Sequence, residues 1–273
     1  MILKKELQNI FIHIRLIPFY MKYSYIKLFN NFFPAKVDDR YWNNLKKDFQ
    51  SDTFLIVANG PSLNFNDLEK LSHIPSIASN KIYLGFDDSE WRPSLWTISD
   101  SLLAYKISND KNSYQSIINC PDSLYYFLSK KFKTKCWKSI KFSNLNDLNI
   151  VENIDPITSG LFEAGTITVF NIQLAIWLGA KTIYITGLDH YYKEDKNFLP
   201  GQKITQSHNN HFHPMYRSKN EIVNNAPISL LDNSYKLINQ YAKKNGVRII
   251  NISNKTHCYE FKRKSINEIL NVK

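Results

Sequence analysis

TFLIVANGPSL, residues 53–63, is the stretch on which the fold reading turns. Residues 53–58 are an uninterrupted apolar and β-branched run. A strand with one wet face would alternate, so this run reads as a strand buried on both faces, as in a parallel sheet. Asn59-Gly60-Pro61-Ser62 then forms a tight turn, and residues 66–71 follow as a short helix.

Further apolar runs end in polar residues at 77–80 and 95–100, the second leading into a helix through Tyr105. Residues 124–128 read as another strand, 166–178 as a helix, and 181–186 as a strand that stops at Gly187-Leu188-Asp189. Near the end, 233–245 predicts a helix stopped by Gly246, and 247–252 a last strand. Alternating strands and helices predict an α/β fold: a Rossmann-like, open, mainly parallel sheet with helices on both faces. Ligands of such sheets gather at the carboxyl ends of the strands, which singles out Asn59, Asn80, Asp100 and Asp189.

The 273 residues, 43% hydrophobic and 22% charged, suffice for one full core. We divide them into a helical extension and linker (1–50) and a catalytic domain (51–273) with a lid-like insertion at about 193–225. The charge of +11 suits an anionic partner. No nucleic-acid signature accompanies it, so nucleic acid is not the expected partner. Three cysteines without paired spacing fit a reducing compartment better than a disulfide framework or a metal site. No apolar run approaches the ~20 residues that span a bilayer, and no secretory leader is evident.

Residues 1–33 carry Leu3, Leu7, Ile10, Phe11, Ile14 and Ile17 at helical spacing, then Phe19, Tyr20, Tyr23, Tyr25, Phe29, Phe32 and Phe33, with lysines and Arg15 between. Such a stretch packs on its own domain, pairs with a second subunit in a homo-oligomer, or lies on an anionic membrane surface. The expected location is the cytoplasm, with peripheral contact to the inner face of the inner membrane as the variant. Residues 34–52 are polar and read as a connection.

Three motifs carry chemistry. In VANGPSL, Gly60 permits close backbone approach and Ser62 offers a hydroxyl near a helix start, a geometry that holds phosphate or ribose. The same turn lacks the Gly-Lys-Ser/Thr of a P-loop. In AGTITVFNIQLAIWLGAKTIYITGLDHYY, residues 164–192, Gly165 and Thr166 open a helix whose amides suit an anion. Tyr191 or Tyr192 can donate to a departing phosphate, and Asp189 either accepts from a sugar hydroxyl or caps a turn. In SHNNHFHPMYR, residues 207–217, His211 and His213 are candidate general bases, and Tyr216 and Arg217 can meet a phosphate or carboxylate. No flanking carboxylate or cysteine completes a metal set.

Together, NGPS at 59–62, the Asn80 of IASNK, the Gly165-Thr166 start with LGAKTIYITGLDHYY, and HFH at 211–213 resemble the MptE-like family, named for an archaeal 6-hydroxymethylpterin diphosphokinase. They also resemble the related bacterial sialyltransferases and the central domain of motility accessory factors. The likeness spans roughly residues 53–261. It implies a sialyltransferase-like, GT-A-like variant of the fold, in which Asn59, Gly60 and Ser62 touch a cytidine nucleotide, Asn80 and Asp100 lie beside ribose or donor sugar, and Tyr191 steadies the leaving phosphate. The base implied is a histidine of the loop matching 208–213, and no metal is implied. Where the sialyltransferases carry an arginine before their Thr-Ser-Gly, this chain has Ala164 or Pro156, which shifts anion binding to Arg217 or a lysine.

The expectation is therefore a transferase moving a sialic-acid-like (nonulosonic) or related acid sugar from a CMP-activated donor to a hydroxyl of a glycan or lipid-linked glycan, for lipopolysaccharide or capsule. His211 or His213 serves as base, and no cofactor is required. The alternatives are a magnesium- and ATP-dependent pterin pyrophosphokinase, with the metal near Asp100 and Asp189, and a non-catalytic glycan-assembly protein.

Overall fold

The computed structural model describes residues 21, 25, 28–29, 32–33, 35–49, 51–110, 116–140, 153–193, 195–197, 202–206, 209–224 and 226–270. Most of the 1–33 extension, and with it the membrane or subunit reading, lies outside the described residues.

In chain order the elements are α1 (Asp39–Asp48), β1 (Thr53–Val57), α2 (Phe65–Lys70), β2 (Ser76–Ser79), β3 (Leu95–Thr97), α3 (Ser101–Asn109), β4 (Ile118–Pro121), α4 (Tyr125–Leu128) and β5 (Thr134–Trp137). There follow β6 (Ser139–Ile140), β7 (Leu161–Phe162), α5 (Ile167–Trp177), β8 (Thr182–Thr186), β9 (Lys196–Asn197), β10 (Gln202–Ile204), β11 (Ile222–Asn224), α6 (Ile228–Lys244), β12 (Arg248–Asn251), β13 (Lys262–Arg263) and α7 (Ile266–Leu270). Eight strands form one sheet in the order β13-β12-β8-β1-β2-β3-β4-β5, and every neighbouring pair is parallel. The Rossmann-like expectation holds.

The unbroken apolar run of β1 has the cause the sequence suggested. Phe54 and Ile56 enter one core with Trp42 of α1 and the buried faces of α5 and α6, while Leu55 and Val57 enter the other with Leu68 of α2 and Leu103 of α3. All four are fully buried, so neither face leaves room for a polar side chain. Cys120 and Cys136 are opposed on β4 and β5, where burial pushes both thiols up, Cys136 to about 12.

Three expectations are corrected. Residues 124–128 form a 3₁₀ turn and the helix α4, and the strand is β4, just before them. In this short apolar run the periods of strand and helix cannot be told apart. Residues 34–52 are more than a connection. Asp38 caps α1, and Trp42 is fully buried, donating from Nε1 to the Cys136 carbonyl at 2.8 Å and standing edge-on to Trp137 and Trp177. One tryptophan on an otherwise polar helix is too sparse a pattern to announce a buried face. The C-terminal helix also begins earlier than residue 233, directly after Pro227.

The chain winds from β1 through β5 to one side, then returns to lay β8 on the other side of β1. This reversal leaves a crevice beyond the carboxyl ends of β1 and β8. A three-stranded antiparallel ribbon, β11-β10-β9, stands apart from the main sheet.

Candidate functional site at the strand switch point

The tips of β1 and β8 are laced together. Ala58 donates its N–H to the Thr186 carbonyl at 2.9 Å and Gly60 to that of Gly187 at 2.8 Å. Asp189 closes the seam: its Oδ2 accepts from the Ser62 N–H at 3.1 Å and the Ser62 hydroxyl at 2.9 Å. Burial raises the Asp189 pKa and the two Ser62 bonds oppose that rise. Gly60 is required by space, because a Cβ there would stand 2.0 Å from Asp189 Oδ2 and 2.6 Å from the Gly187 carbonyl oxygen.

Beside this seam Gly165 adopts φ +69°, and Thr166 caps α5 by accepting from the Thr168 N–H at 3.3 Å. Thr166, Ile167 and Thr168 line the crevice, so the amide-rich end of an 11-residue helix opens onto it.

The histidine-bearing loop folds back over the strand tips. Phe212 donates its N–H to the Asn59 carbonyl at 3.1 Å, and Lys81, two residues after β2, donates from Nζ to the Tyr216 carbonyl at 3.0 Å. His211 stacks on Tyr216 with ring centroids 3.9 Å apart and planes within 8°. Burial, aided by the Arg217 and Lys81 charges, pushes the His211 pKa down to about 3, so its imidazole is neutral near pH 7. Arg217 reaches Glu221 at 2.9 Å, and Glu221 also holds Lys106 at 2.5 Å. Burial alone would raise the Glu221 pKa, but its two cations outweigh that and bring it to about 2. The Lys106 pKa points the other way, lowered by burial despite the same partner. The carboxylate, flanked by two cations, gains what each cation loses to desolvation, and we read the triad as ionised.

These parts enclose two joined chambers. The inner one, about 120 Å³, lies against the strand tips, and the outer one, about 580 Å³, lies beneath the β9–β11 ribbon. Thr166, Tyr192, Asn210, His211 and Arg217 line both. Three buried polar atoms of inner-chamber residues have no partner: Asn59 Oδ1, Asn80 Oδ1 and His190 Nδ1. Buried polar groups in folded proteins are nearly always paired, so such a cluster marks a place for a ligand or ordered water.

Among the residues singled out from sequence, Asn59, Gly60, Asn80, Thr166, Asp189, Tyr191, Tyr192, His211 and Arg217 line the inner chamber, and Gly165 the outer one. Tyr191 is 57% exposed and tilted against His257, with centroids 5.1 Å apart. Tyr192 is 43% exposed overall, yet desolvation of its hydroxyl, reinforced by Asp189, pushes the pKa up to about 12, which keeps it a donor. Pro61, Ser62, Asp100 and His213 line neither chamber. Ser62 faces Asp189. Asp100 caps α3 through the Leu102 and Leu103 N–H groups and accepts from Asn224. His213 caps its own 3₁₀ turn, its Nδ1 accepting from the Met215 N–H at 3.2 Å. His208 lies outside the described residues. Sequence reasoning missed His190, Lys81 and Tyr235. The first two adjoin Asp189 and Asn80 and were open to detection as strand-end neighbours, whereas Tyr235 reads only as a core position on a helix.

Fold and crevice define a doubly wound α/β protein with a polar-lined crevice at its switch point. The family described as "6-hydroxymethylpterin diphosphokinase MptE-like" matches residues 27–195, well over half of the chain, and the chain belongs to it. No curated protein matches. A solved structure described as the MAf glycosyltransferase from Magnetospirillum magneticum AMB-1 is similar at 13% identity and a TM-score of 0.47, covering 79% of this chain and 34% of that one. The chain thus spans about a third of that protein's length. Among the described residues no helix is long and apolar enough to cross a membrane, and no group of three or more His, Cys, Asp or Glu side chains is placed to hold a metal ion.

Proposed function

We propose that this chain is a glycosyltransferase that moves a sialic-acid-like or related acid sugar from a CMP-activated donor to a hydroxyl of a cell-surface glycan. The observation that carries the reading is the Phe212 N–H to Asn59 carbonyl bond, which ties the loop bearing His211 to the turn at Asn59-Gly60. The donor's nucleotide occupies the inner chamber, its phosphate and carboxylate meet Arg217 and the Thr166 end of α5, and the acceptor enters through the outer chamber. The 580 Å³ of that chamber is the size of an ordinary small-molecule site.

In this mechanism His211, neutral and at the junction of the chambers, takes the proton of the acceptor hydroxyl as its oxygen attacks the anomeric carbon. The bond from that carbon to the phosphate oxygen breaks, and CMP leaves against Tyr191, Tyr192 and the α5 amides. The ribbon above the outer chamber limits entry of water, and hence donor hydrolysis. The work is done on the cytoplasmic side, with contact between residues 1–33 and an anionic membrane surface as a variant.

The family's description offers a diphosphokinase as the second reading. It needs magnesium near Asp100 and Asp189, yet Asp100 is committed to capping α3 and Asp189 Oδ2 to Ser62. Those commitments favour the first reading. Thermal shift with CMP, CDP, UDP and ATP, with and without magnesium, separates them, because a ligand that binds only the folded state raises its stability. Stabilisation by CMP without metal is expected. A response to ATP with magnesium alone would overturn the proposal in favour of the kinase, and no response would favour a non-catalytic role.

A further inference from the structure

The inner chamber holds a second imidazole that the displacement above does not use. His190 follows β8 with φ +52°, an uncommon conformation for a residue with a Cβ, and it is only 8% exposed. Its Nε2 lies 2.7 Å from Asp232 Oδ1 on α6. An ionised carboxylate only accepts, so the nitrogen facing it carries the hydrogen. In the neutral ring that leaves Nδ1 as a bare acceptor, and Nδ1 is buried without a partner. Tyr192 and Tyr235 stand edge-on to the ring at 6.3 and 5.3 Å, which limits its freedom to turn.

The other two unpartnered atoms of the chamber have the same polarity. Asn59 Nδ2 donates to Ser79 Oγ at 3.0 Å, which leaves its Oδ1 as acceptor, and Asn80 Oδ1 is buried without a partner. Phosphate and carboxylate bring further acceptors and cannot satisfy this set. Hydroxyl groups can.

We propose that His190, oriented by Asp232, is a specificity-determining residue whose Nδ1 accepts a hydrogen bond from a hydroxyl of the bound nucleotide-sugar. This rests on the reading of the crevice as a nucleotide-sugar site. Asp232 acts as a positioning residue, because its carboxylate selects the tautomer that keeps Nδ1 an acceptor.

The test measures affinity by calorimetry for CMP, 2′-deoxy-CMP and CMP-sialic acid in the wild-type chain, His190→Phe, His190→Gln and Asp232→Asn. His190→Phe is expected to weaken binding at least tenfold while keeping the melting temperature, with partial recovery in His190→Gln, which retains an acceptor. A loss seen with CMP but not with 2′-deoxy-CMP assigns the 2′-hydroxyl; a loss confined to CMP-sialic acid assigns a hydroxyl of the sugar. Unchanged affinity of His190→Phe for all three overturns the proposal. If the wild-type chain binds none of them, the nucleotide-sugar reading fails by itself. Nitrogen NMR of the ligand-free protein then judges the acceptor assignment: the Nε2–H tautomer, lost in Asp232→Asn, supports it, and the Nδ1–H tautomer overturns it.

Discussion

Asp189 Oδ2 accepts both the N–H and the hydroxyl of Ser62, at 3.1 and 2.9 Å, and so joins two strand tips that lie 127 residues apart in the chain. The bonds run across the switch point itself, just beyond the backbone bonds from Ala58 to Thr186 and from Gly60 to Gly187. Asp189 thereby shapes the crevice floor.

Removing that carboxylate separates its structural part from any contact with ligand. Asp189→Ala strands a Ser62 N–H and hydroxyl, and the expected loss is about 1–3 kcal/mol, read as a lower midpoint in urea. Asp189→Asn, which keeps one acceptor oxygen, is expected to lose less. Unchanged stability in Asp189→Ala together with lost CMP binding would mean that the carboxylate serves the ligand instead.

Gly60 is the steric counterpart. In Gly60→Ala the new methyl would collide with Asp189 Oδ2 and the Gly187 carbonyl, and the second is backbone with little room to yield. Overpacking of this kind costs about 1–3 kcal/mol and moves the turn that shapes the inner chamber. We expect nucleotide affinity to fall more than tenfold even where circular dichroism shows the variant folded; wild-type affinity would show that the turn lies clear of the ligand.

How far the sequence carried the fold can be judged at β1 and α1. The β1 run was legible because burial on both faces permits only apolar side chains, and the Asn59-Gly60-Pro61-Ser62 turn marks where it ends. Helix α1 was not, because its attachment depends on one tryptophan meeting Cys136, Trp137 and Trp177, partners distant in the chain. The site divides along the same line. Asn59, Asn80 and Asp189 were recognisable as strand-end residues, a property that topology guarantees. His211 and His213 were not separable, since two residues of loop decide that one ring stacks on Tyr216 at the crevice while the other caps a turn beside it. His190 went unremarked because nothing local distinguishes a buried imidazole held by Asp232 from a surface one.

The ribbon over the outer chamber is anchored by charge, which gives a dependence on acid. Glu221 binds Lys106, Arg217 and the Ser218 N–H, with its pKa brought from the ordinary 4.5 to about 2. A carboxylate whose pKa is lowered by folding adds stability that is complete above the unfolded value and disappears as pH falls through the folded one. The anchor is thus expected to weaken between about pH 4.5 and 2. Melting temperatures followed over that range should fall less steeply in Glu221→Gln than in the wild-type chain, with the variant less stable at pH 7. Parallel curves would count against the triad as the anchor.

His211 gives the last prediction and the sharpest one for mechanism. Its pKa of about 3, against an ordinary 6.5, has burial as its first cause and the Arg217 charge as its second. A base with a lowered pKa favours the neutral form in the fold, so its contribution to stability is intact above 6.5 and lost as pH falls through about 3. Arg217→Gln removes only the second cause, and the imidazole pKa measured by NMR is expected to rise while staying below 6.5. Donor binding brings anionic groups to the same cations and should raise it further, giving a base that strengthens when the donor is in place. The acid limb of kcat/KM for sugar transfer is accordingly expected well below pH 6, shifting upward in Arg217→Gln. His211→Phe, which retains the stack on Tyr216, should lose about 10²–10⁴-fold in rate with little change in donor affinity. An acid limb near 6.5 that survives in His211→Phe would move the base to another residue.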